Sequence, residues 1–175
     1  VTHPYQSNPL TWLFMTRPTS MYYVGSQLGQ NGCTSSGGCS AAITDLANPL
    51  IWWACAAAAF YLVYRLIRYR EWRVGLILTG LAAGYLPWML YINRTIFTFY
   101  SIAFEPYLIL GLAAVISIVL GKRTDVTWRR VRGIRLVAVF LALSTVLTVF
   151  FWPIWTGEQI PYWYWYAHMW LPSWI

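Results

Sequence analysis

Four long apolar segments alternate along this chain with two short runs of arginine, and that arrangement leaves little freedom of fold. A helix rising about 1.5 Å per residue needs roughly 20 residues to cross about 30 Å of hydrocarbon. The segments run from about Pro49 to Leu66, Val74 to Ile92, Ile96 to Leu120 and Ile134 to Trp155. Asn48-Pro49 opens the first as a cap followed by a first-turn proline. Composition agrees: 59% of the 175 residues are hydrophobic and only 10% charged, where a soluble domain averages about 25% charged. With 12 basic and 5 acidic side chains the chain cannot wet the surface of a soluble globule, and its apolar excess excludes disorder. The expected class is an all-α integral membrane protein with four transmembrane helices. Nothing resembles a cleavable signal peptide, and a start at Val1 reads as part of a longer polypeptide.

The formal charge of +7 raises nucleic acid as a partner, but the basic residues do not form a soluble aromatic-basic module. They fall as Arg65, Arg68, Arg70 and Arg73, then Lys122, Arg123, Arg129, Arg130, Arg132 and Arg135, each run lying between two apolar segments. Lysine and arginine are retained on the cytoplasmic side. Both runs are therefore expected to be cytoplasmic, in a multi-pass protein whose amino-terminal segment, second–third turn and carboxyl tail are extracytoplasmic. No nucleic acid is expected; membrane lipid is.

The expected organisation is an extracytoplasmic segment and loop at 1–48, a four-helix domain at 49–155 and an aromatic tail at 156–175. Val1 to Tyr23 mixes Trp12, Leu13, Phe14 and Met15 with His3, Tyr5 and Arg17, a composition suited to the headgroup zone or to docking on helices. Val24 to Ala47 reads as a polar Gly/Ser loop. Cys33 and Cys39 bracket its richest part and could close a small disulfide in an oxidising space. No His or further Cys lies nearby to suggest zinc. Cys55 reads as packing. Between Tyr162 and Trp174 seven residues are Tyr or Trp. They suit an aromatic belt at the interface, or a platform that stacks on a sugar or peptide. Gly80 and Gly84 share the small-xxx-small spacing of closely packed helices.

No phosphate-binding Gly loop, dinucleotide fingerprint or His-Glu-x-x-His pair is present, and no metal or cofactor is implied. His3 and His168 lack the surroundings of a Ser/His/Asp triad. Two charged residues stand out. Arg94, in the turn Tyr91-Ile-Asn-Arg-Thr95, lies on the side that basic residues avoid. Its bidentate fork suits phosphate, and the other reading is a surface arginine reaching headgroups. Glu105 is near mid-span by count, where a carboxylate costs several kcal/mol unless paired or facing a cavity, roughly. Pro106 can break the helix there and bring Glu105 nearer the surface. Asn93-Arg94-Thr95 matches the glycosylation acceptor pattern by chance, so close to two spans.

Gly84-Tyr-Leu-Pro-Trp-Met-Leu, Arg94-Thr-Ile-Phe-Thr-Phe-Tyr100 and Pro106 together resemble the carboxyl-terminal four-helix region of the bacterial polyprenyl-phosphate-mannose–protein mannosyltransferases. His3-Pro-Tyr-Gln-Ser7 with Trp12 and Arg17-Pro18, Asn48-Pro-Leu-Ile-Trp-Trp53, and Met169-Trp-Leu-Pro-Ser-Trp-Ile175 fit the same family in order and spacing. The resemblance covers nearly the whole chain. It implies part of a multi-span GT-C-type glycosyltransferase of the plasma membrane. Such an enzyme takes mannose from polyprenyl-phosphate-mannose outside the membrane and passes it, with inversion, to Ser or Thr of exported proteins. The family's catalytic acids lie in its amino-terminal half, absent here. This chain alone is then expected to be inactive, with that missing half of the same enzyme as its partner. Arg94 is the candidate for the donor lipid-phosphate; His3, Tyr5, Trp12, Arg17, Tyr100 and Glu105 are candidates for a substrate groove.

Two other readings stand beside this one. A non-enzymatic lipid- or partner-binding membrane subunit would need no catalytic half. A small transporter could use Glu105, although four spans without repeats or paired acids argue against it.

Overall fold

The computed structural model describes residues 3–175, so Val1 and Thr2 of the amino-terminal segment lie outside the described residues. The chain divides into two compact units. Unit 1 comprises Val1–Asn48, Ile92–Tyr100 and Thr148–Ile175; unit 2 comprises Pro49–Tyr91 and Ser101–Leu147.

Unit 2 holds the apolar helices α1 (Pro49–Tyr69), α2 (Trp72–Tyr85) and α3 (Glu105–Leu120), and residues 127–147 of α4 (Thr127–Thr156). Helix α1 begins at its proline, whose missing N–H is one the first turn would leave unpaired in any case. It ends where Arg70 takes φ +53°, the left-handed conformation that stops a helix. The connection to α2 is closed by an ion pair from Arg65 to Glu71. Leu62, Val74 and Leu78 form a buried core, with Leu66, Ile77, Leu81 and Val115 packed against it. Gly80 and Gly84 permit the close approach of α2 that their spacing predicts. A Cβ on Gly80 would sit 2.1 Å from the Tyr107 ring, and one on Gly84 2.9 Å from the Ala103 carbonyl oxygen and Phe104 Cβ.

The helices differ from the expected spans in length. Among the described residues, three stretches are long and apolar enough to cross a membrane: Pro49–Tyr69, Trp72–Tyr91 and Thr127–Thr156. The expected span 96–120 is not one helix. Residues Thr98–Ala103 form a 3-10 turn, and α3 starts only at Glu105, with 16 residues. Pro106 is the cause, since proline lacks the N–H of a helix interior and disfavours helical backbone in the residue before it. In the other direction, α4 starts at Thr127 rather than Ile134, because arginine is a good helix former and the basic run continues the helix. Helix α4 exposes Val131, Ile134, Leu136, Val139, Leu141 and Val146 in turn; apolar character around a whole helix suits hydrocarbon.

Unit 1 corrects the all-α expectation. Strands β1 (Ser20–Ser26), β2 (Cys39–Thr44) and β3 (Gln159–Pro161) form an antiparallel sheet in the order β1-β2-β3. Ser26 pairs with Cys39 and Ser20 with Thr44, and Cys39 pairs in turn with Pro161. The stretch expected as a loop from Val24 to Ala47 is thus largely a hairpin with a long connection, across which Cys33 and Cys39 are joined as a disulfide. The aromatic tail is folded as well. After β3 come α5 (Tyr162–Ala167) and a 3-10 turn at Pro172–Trp174. Trp165, His168, Met169 and Trp174 are buried, while Tyr162, Trp163, Tyr166 and Trp170 are exposed. The tail is neither wholly belt nor wholly platform: one set of aromatics packs inward and the other faces out.

Candidate functional site

The amino-terminal segment is drawn onto residues 92–100 by main-chain and hydroxyl contacts. Asn8 caps a 3-10 turn at Pro9–Phe14 by accepting from the Leu10 N–H at 3.0 Å. That turn carries Trp12 inward, leaving it 1% exposed. Trp12 Nε1 donates to Ser7 Oγ at 2.8 Å; Ser7 Oγ lies 3.1 Å from Thr98 Oγ1, which donates to the Arg17 carbonyl. The Ser7 N–H donates to the Ile96 carbonyl at 2.9 Å, and Gln6 Nε2 to the Arg94 carbonyl at 3.3 Å. Arg94 is thus an exposed residue whose own carbonyl and that of Ile96 are held by the amino-terminal segment.

Aromatic rings flank this segment. The His3 ring meets Phe97 edge-on at 5.1 Å, Phe97 stacks on Phe99 at 5.4 Å, and Phe99 lies 4.6 Å from Tyr100. His3 Nδ1 accepts from the Tyr5 N–H at 3.2 Å. His3, Tyr5, Arg94 and Tyr100 thus belong to one unit, where they present a cation, two hydroxyl-bearing rings and an imidazole.

The other candidates fall elsewhere. Trp12 is interior and offers no face to a groove, which corrects its expected place; a buried indole with a buried partner is a core element. Glu105 belongs to unit 2, at the first turn of α3. A carboxylate is favoured there by the helix dipole.

Arg17 is committed to structure. Its Nε and Nη2 donate to the Pro4 carbonyl at 3.2 and 3.0 Å, and Nη1 donates to the main-chain oxygens of Ser173 and Ile175 at 2.6 and 2.8 Å. The guanidinium also lies 5.2 Å over the Tyr5 ring. One planar fork thereby joins the amino-terminal segment to the end of the tail. Arg17→Lys is expected to release residues 169–175, because an ammonium cannot reproduce the fork. A loss of ~2 kcal/mol of local stability follows from the hydrogen bonds removed. Faster amide exchange at Trp174 in Arg17→Lys, with exchange in α1 unchanged, is the measurement that checks it.

Sequence reasoning passed over Ser7, Phe97 and Thr98 as individual residues, although the motifs around Arg94 and His3 contain them. It also passed over the cleft of about 490 Å³ beside the hairpin, lined by Tyr23, Gly25, Gln27, Ser36, Ser40 and Tyr162. His168 is fully buried, with Nδ1 2.7 Å from the Tyr164 carbonyl and Nε2 2.6 Å from that of Phe150. Both ring nitrogens are engaged by main chain, so the residue is structural.

With this geometry the sequence can be placed. The family model for the C-terminal four TMM region of protein-O-mannosyltransferase matches residues 1–174. The chain belongs to that family. It is 34% identical over 174 residues to the polyprenol-phosphate-mannose–protein mannosyltransferase of Mycolicibacterium smegmatis, covering 98% of this chain and 33% of that protein. Against the protein of the same description from Mycobacterium tuberculosis the identity is 33% over 172 residues, covering 98% of this chain and 32% of the other. The chain thus spans about one third of the length of the curated relatives it matches. Its fold is similar to part of a chain in the solved structure of the S. cerevisiae protein O-mannosyltransferase Pmt1-Pmt2 complex bound to the sugar donor. The TM-score is 0.74 and the identity 23%, covering 99% of this chain and 24% of that one. The protein O-mannosyltransferase region is thus a multi-pass, mostly helical membrane region carrying a small sheet.

Proposed function

We propose that this chain is the C-terminal membrane part of an enzyme that transfers mannose from polyprenyl-phosphate-mannose to Ser or Thr hydroxyls of exported proteins. In this reading it supplies scaffold and, through Arg94, a contact to the donor lipid-phosphate. The observation that carries the site is Arg94: an exposed arginine on a main chain pinned by Gln6 and Ser7, in the unit that also holds the His3–Phe97 ring pair.

The chemistry follows from the leaving group. As the acceptor oxygen bonds to the anomeric carbon, the bond from that carbon to the phosphate oxygen breaks and its electron pair stays on the polyprenyl phosphate. A positioned cation lowers the barrier by stabilising that developing charge. Arg94 is suited to it because the fork holds two phosphate oxygens at once. The acceptor proton goes to a base in the remainder of the enzyme, which is the required partner of this part. His3, Tyr5 and Tyr100 are the groove candidates that share a unit with Arg94. The donor side is the extracytoplasmic face of the plasma membrane, consistent with ten basic residues at the opposite ends of the spans.

The test is Arg94→Ala in the full-length protein, read by native mass spectrometry with added polyprenyl-phosphate-mannose and by transfer to a Ser/Thr peptide. Hydrogen bonds to a charged group are worth roughly 1.5–3 kcal/mol, so both readouts are expected to fall about 10- to 100-fold. Arg94→Lys keeps the charge without the fork and is expected to retain part of the activity. Wild-type binding and transfer in a folded Arg94→Ala protein would remove Arg94 from the donor site.

A further inference from the structure

Unit 2 carries a second amphipathic site, formed by α1, α3 and α4 where the basic runs meet the apolar helices. A cavity of about 440 Å³ is lined by Arg65, Ser117, Ile118, Lys122, Asp125 and Arg129. An apolar trough of about 440 Å³ lies on the same three helices, lined by Ala57, Ala58, Tyr61, Val119, Leu136 and Phe140 among others. Two helices bring the cavities into line. On α1, Ala57, Ala58, Tyr61 and Arg65 follow one another at spacings of one, three and four residues, which keeps them on one face; on α4, Arg129 precedes Leu136 by two turns. The Arg65 guanidinium lies 5.9 Å from the centre of the Tyr61 ring, so a residue of the trough and a residue of the basic cavity are neighbours on α1.

We propose that this paired site holds one anionic phospholipid, its phosphate headgroup at Arg65, Lys122 and Arg129 and an acyl chain in the trough. The two carboxylates nearby offset part of this charge and leave the cations in excess. Glu71 is taken up by Arg65. Asp125 accepts from the Lys122 N–H at 2.9 Å and faces Arg129 at 3.7 Å. The runs 65–73 and 122–135 hold ten basic residues against these two acids. Arg65 Nε is buried and finds no hydrogen-bond partner among the described residues. A basic recess between apolar helices is the arrangement that recognises acidic lipid headgroups. The trough supplies what a soluble anion does not need: a wall of alanines and branched side chains of a size to take a hydrocarbon chain. The site does not rest on the donor reading, which concerns Arg94 in unit 1.

The test compares phosphatidylglycerol with phosphatidylcholine of the same acyl chains on the full-length protein by native mass spectrometry. One phosphatidylglycerol is expected to be retained at about ten-fold lower concentration than phosphatidylcholine. Each basic residue near an anionic lipid is worth about 1 kcal/mol, so Lys122→Gln with Arg129→Gln should remove that preference. Arg130→Gln, which does not line the cavity, should leave it in place. Ala57→Leu fills the trough from an exposed position and should weaken retention of the lipid while polyprenyl-phosphate-mannose binding persists. Equal retention of the two lipids, or a preference unchanged in the double variant, overturns the proposal. Displacement of phosphatidylglycerol by inorganic phosphate at equal concentration overturns it too, by making this a soluble-anion site. No retained lipid in the wild-type protein overturns it as well, and would mean that the rest of the polypeptide fills the trough.

Discussion

Trp12→Ala in the full-length protein is expected to unfold unit 1 locally at a cost of ~3–5 kcal/mol, the range for truncating a fully buried aromatic. Trp12 is 1% exposed and its indole donates to Ser7, which is bonded in turn to Thr98. Its removal leaves a void and takes the Nε1 donor from Ser7 at once. The segment 92–100 would then keep its bonds from Ser7 to Ile96, from Gln6 to Arg94 and from Thr98 to the Arg17 carbonyl, but on an amino-terminal segment that has lost its buried anchor. Because ~1.4 kcal/mol is a factor of ten, amides of residues 92–100 should exchange at least about 100-fold faster. Trp12→Phe separates the two contributions. It keeps most of the apolar volume and loses only the hydrogen bond, for an expected cost of about 1 kcal/mol. Wild-type exchange at residues 92–100 in Trp12→Ala would mean that Trp12 does not support this segment. A loss of mannosyl transfer in Trp12→Ala would then be read as misplacement of Arg94 rather than as loss of a contact to substrate.

That distinction was not legible in the sequence, and the reason is range. Hydropathy and charge act locally, so they located the apolar segments, the basic runs and the start of α1 at Pro49. They also singled out Arg94 as a basic residue lying apart from both basic runs. What they cannot register is a partner far along the chain. Arg17 looks like a groove residue until Nη1 meets the main chain at Ser173 and Ile175. Trp12 looks interfacial until its indole, buried, meets Ser7, which Thr98 meets from far along the chain. The sheet was missed for a related reason. Strands β1 and β2 are joined by twelve residues rather than a two-residue turn, and β3 is three residues long, too short to show an alternating pattern. Hydropathy does not separate 3-10 from α backbone, so Ile96 to Leu120 read as one span. Pro106 was the visible mark of the break, and it also moved Glu105 to a helix start.

Gly133 makes the second large effect, because α4 meets the end of α3 there with no room for a side chain. A Cβ would fall 2.2 Å from the Val119 carbonyl oxygen and 3.2 Å from the Leu120 Cα. Main-chain atoms in the last turn of a helix cannot swing aside as an exposed ring can. Gly133→Ala therefore has to push the two helices apart, at a cost of ~1–3 kcal/mol, with Gly133→Leu at or above the upper end. The usual gain of up to ~1 kcal/mol on replacing a helical glycine works against this, which makes the contrast with Gly75 informative. A Cβ on Gly75 in α2 would touch only Leu66 Cδ1, at 3.5 Å. Gly75→Ala is expected to leave thermal stability unchanged or slightly raised, while Gly133→Ala lowers it and exposes the amides of Val119 and Leu120 to exchange. Equal behaviour of the two variants would show that α3 and α4 are not in contact at Gly133. If the contact holds, displacement of α4 should also weaken retention of phosphatidylglycerol, since Arg129 and Leu136 flank Gly133 on the helix that would move. Donor binding at Arg94 is a separate readout, and its persistence in Gly133→Ala would locate the damage in unit 2.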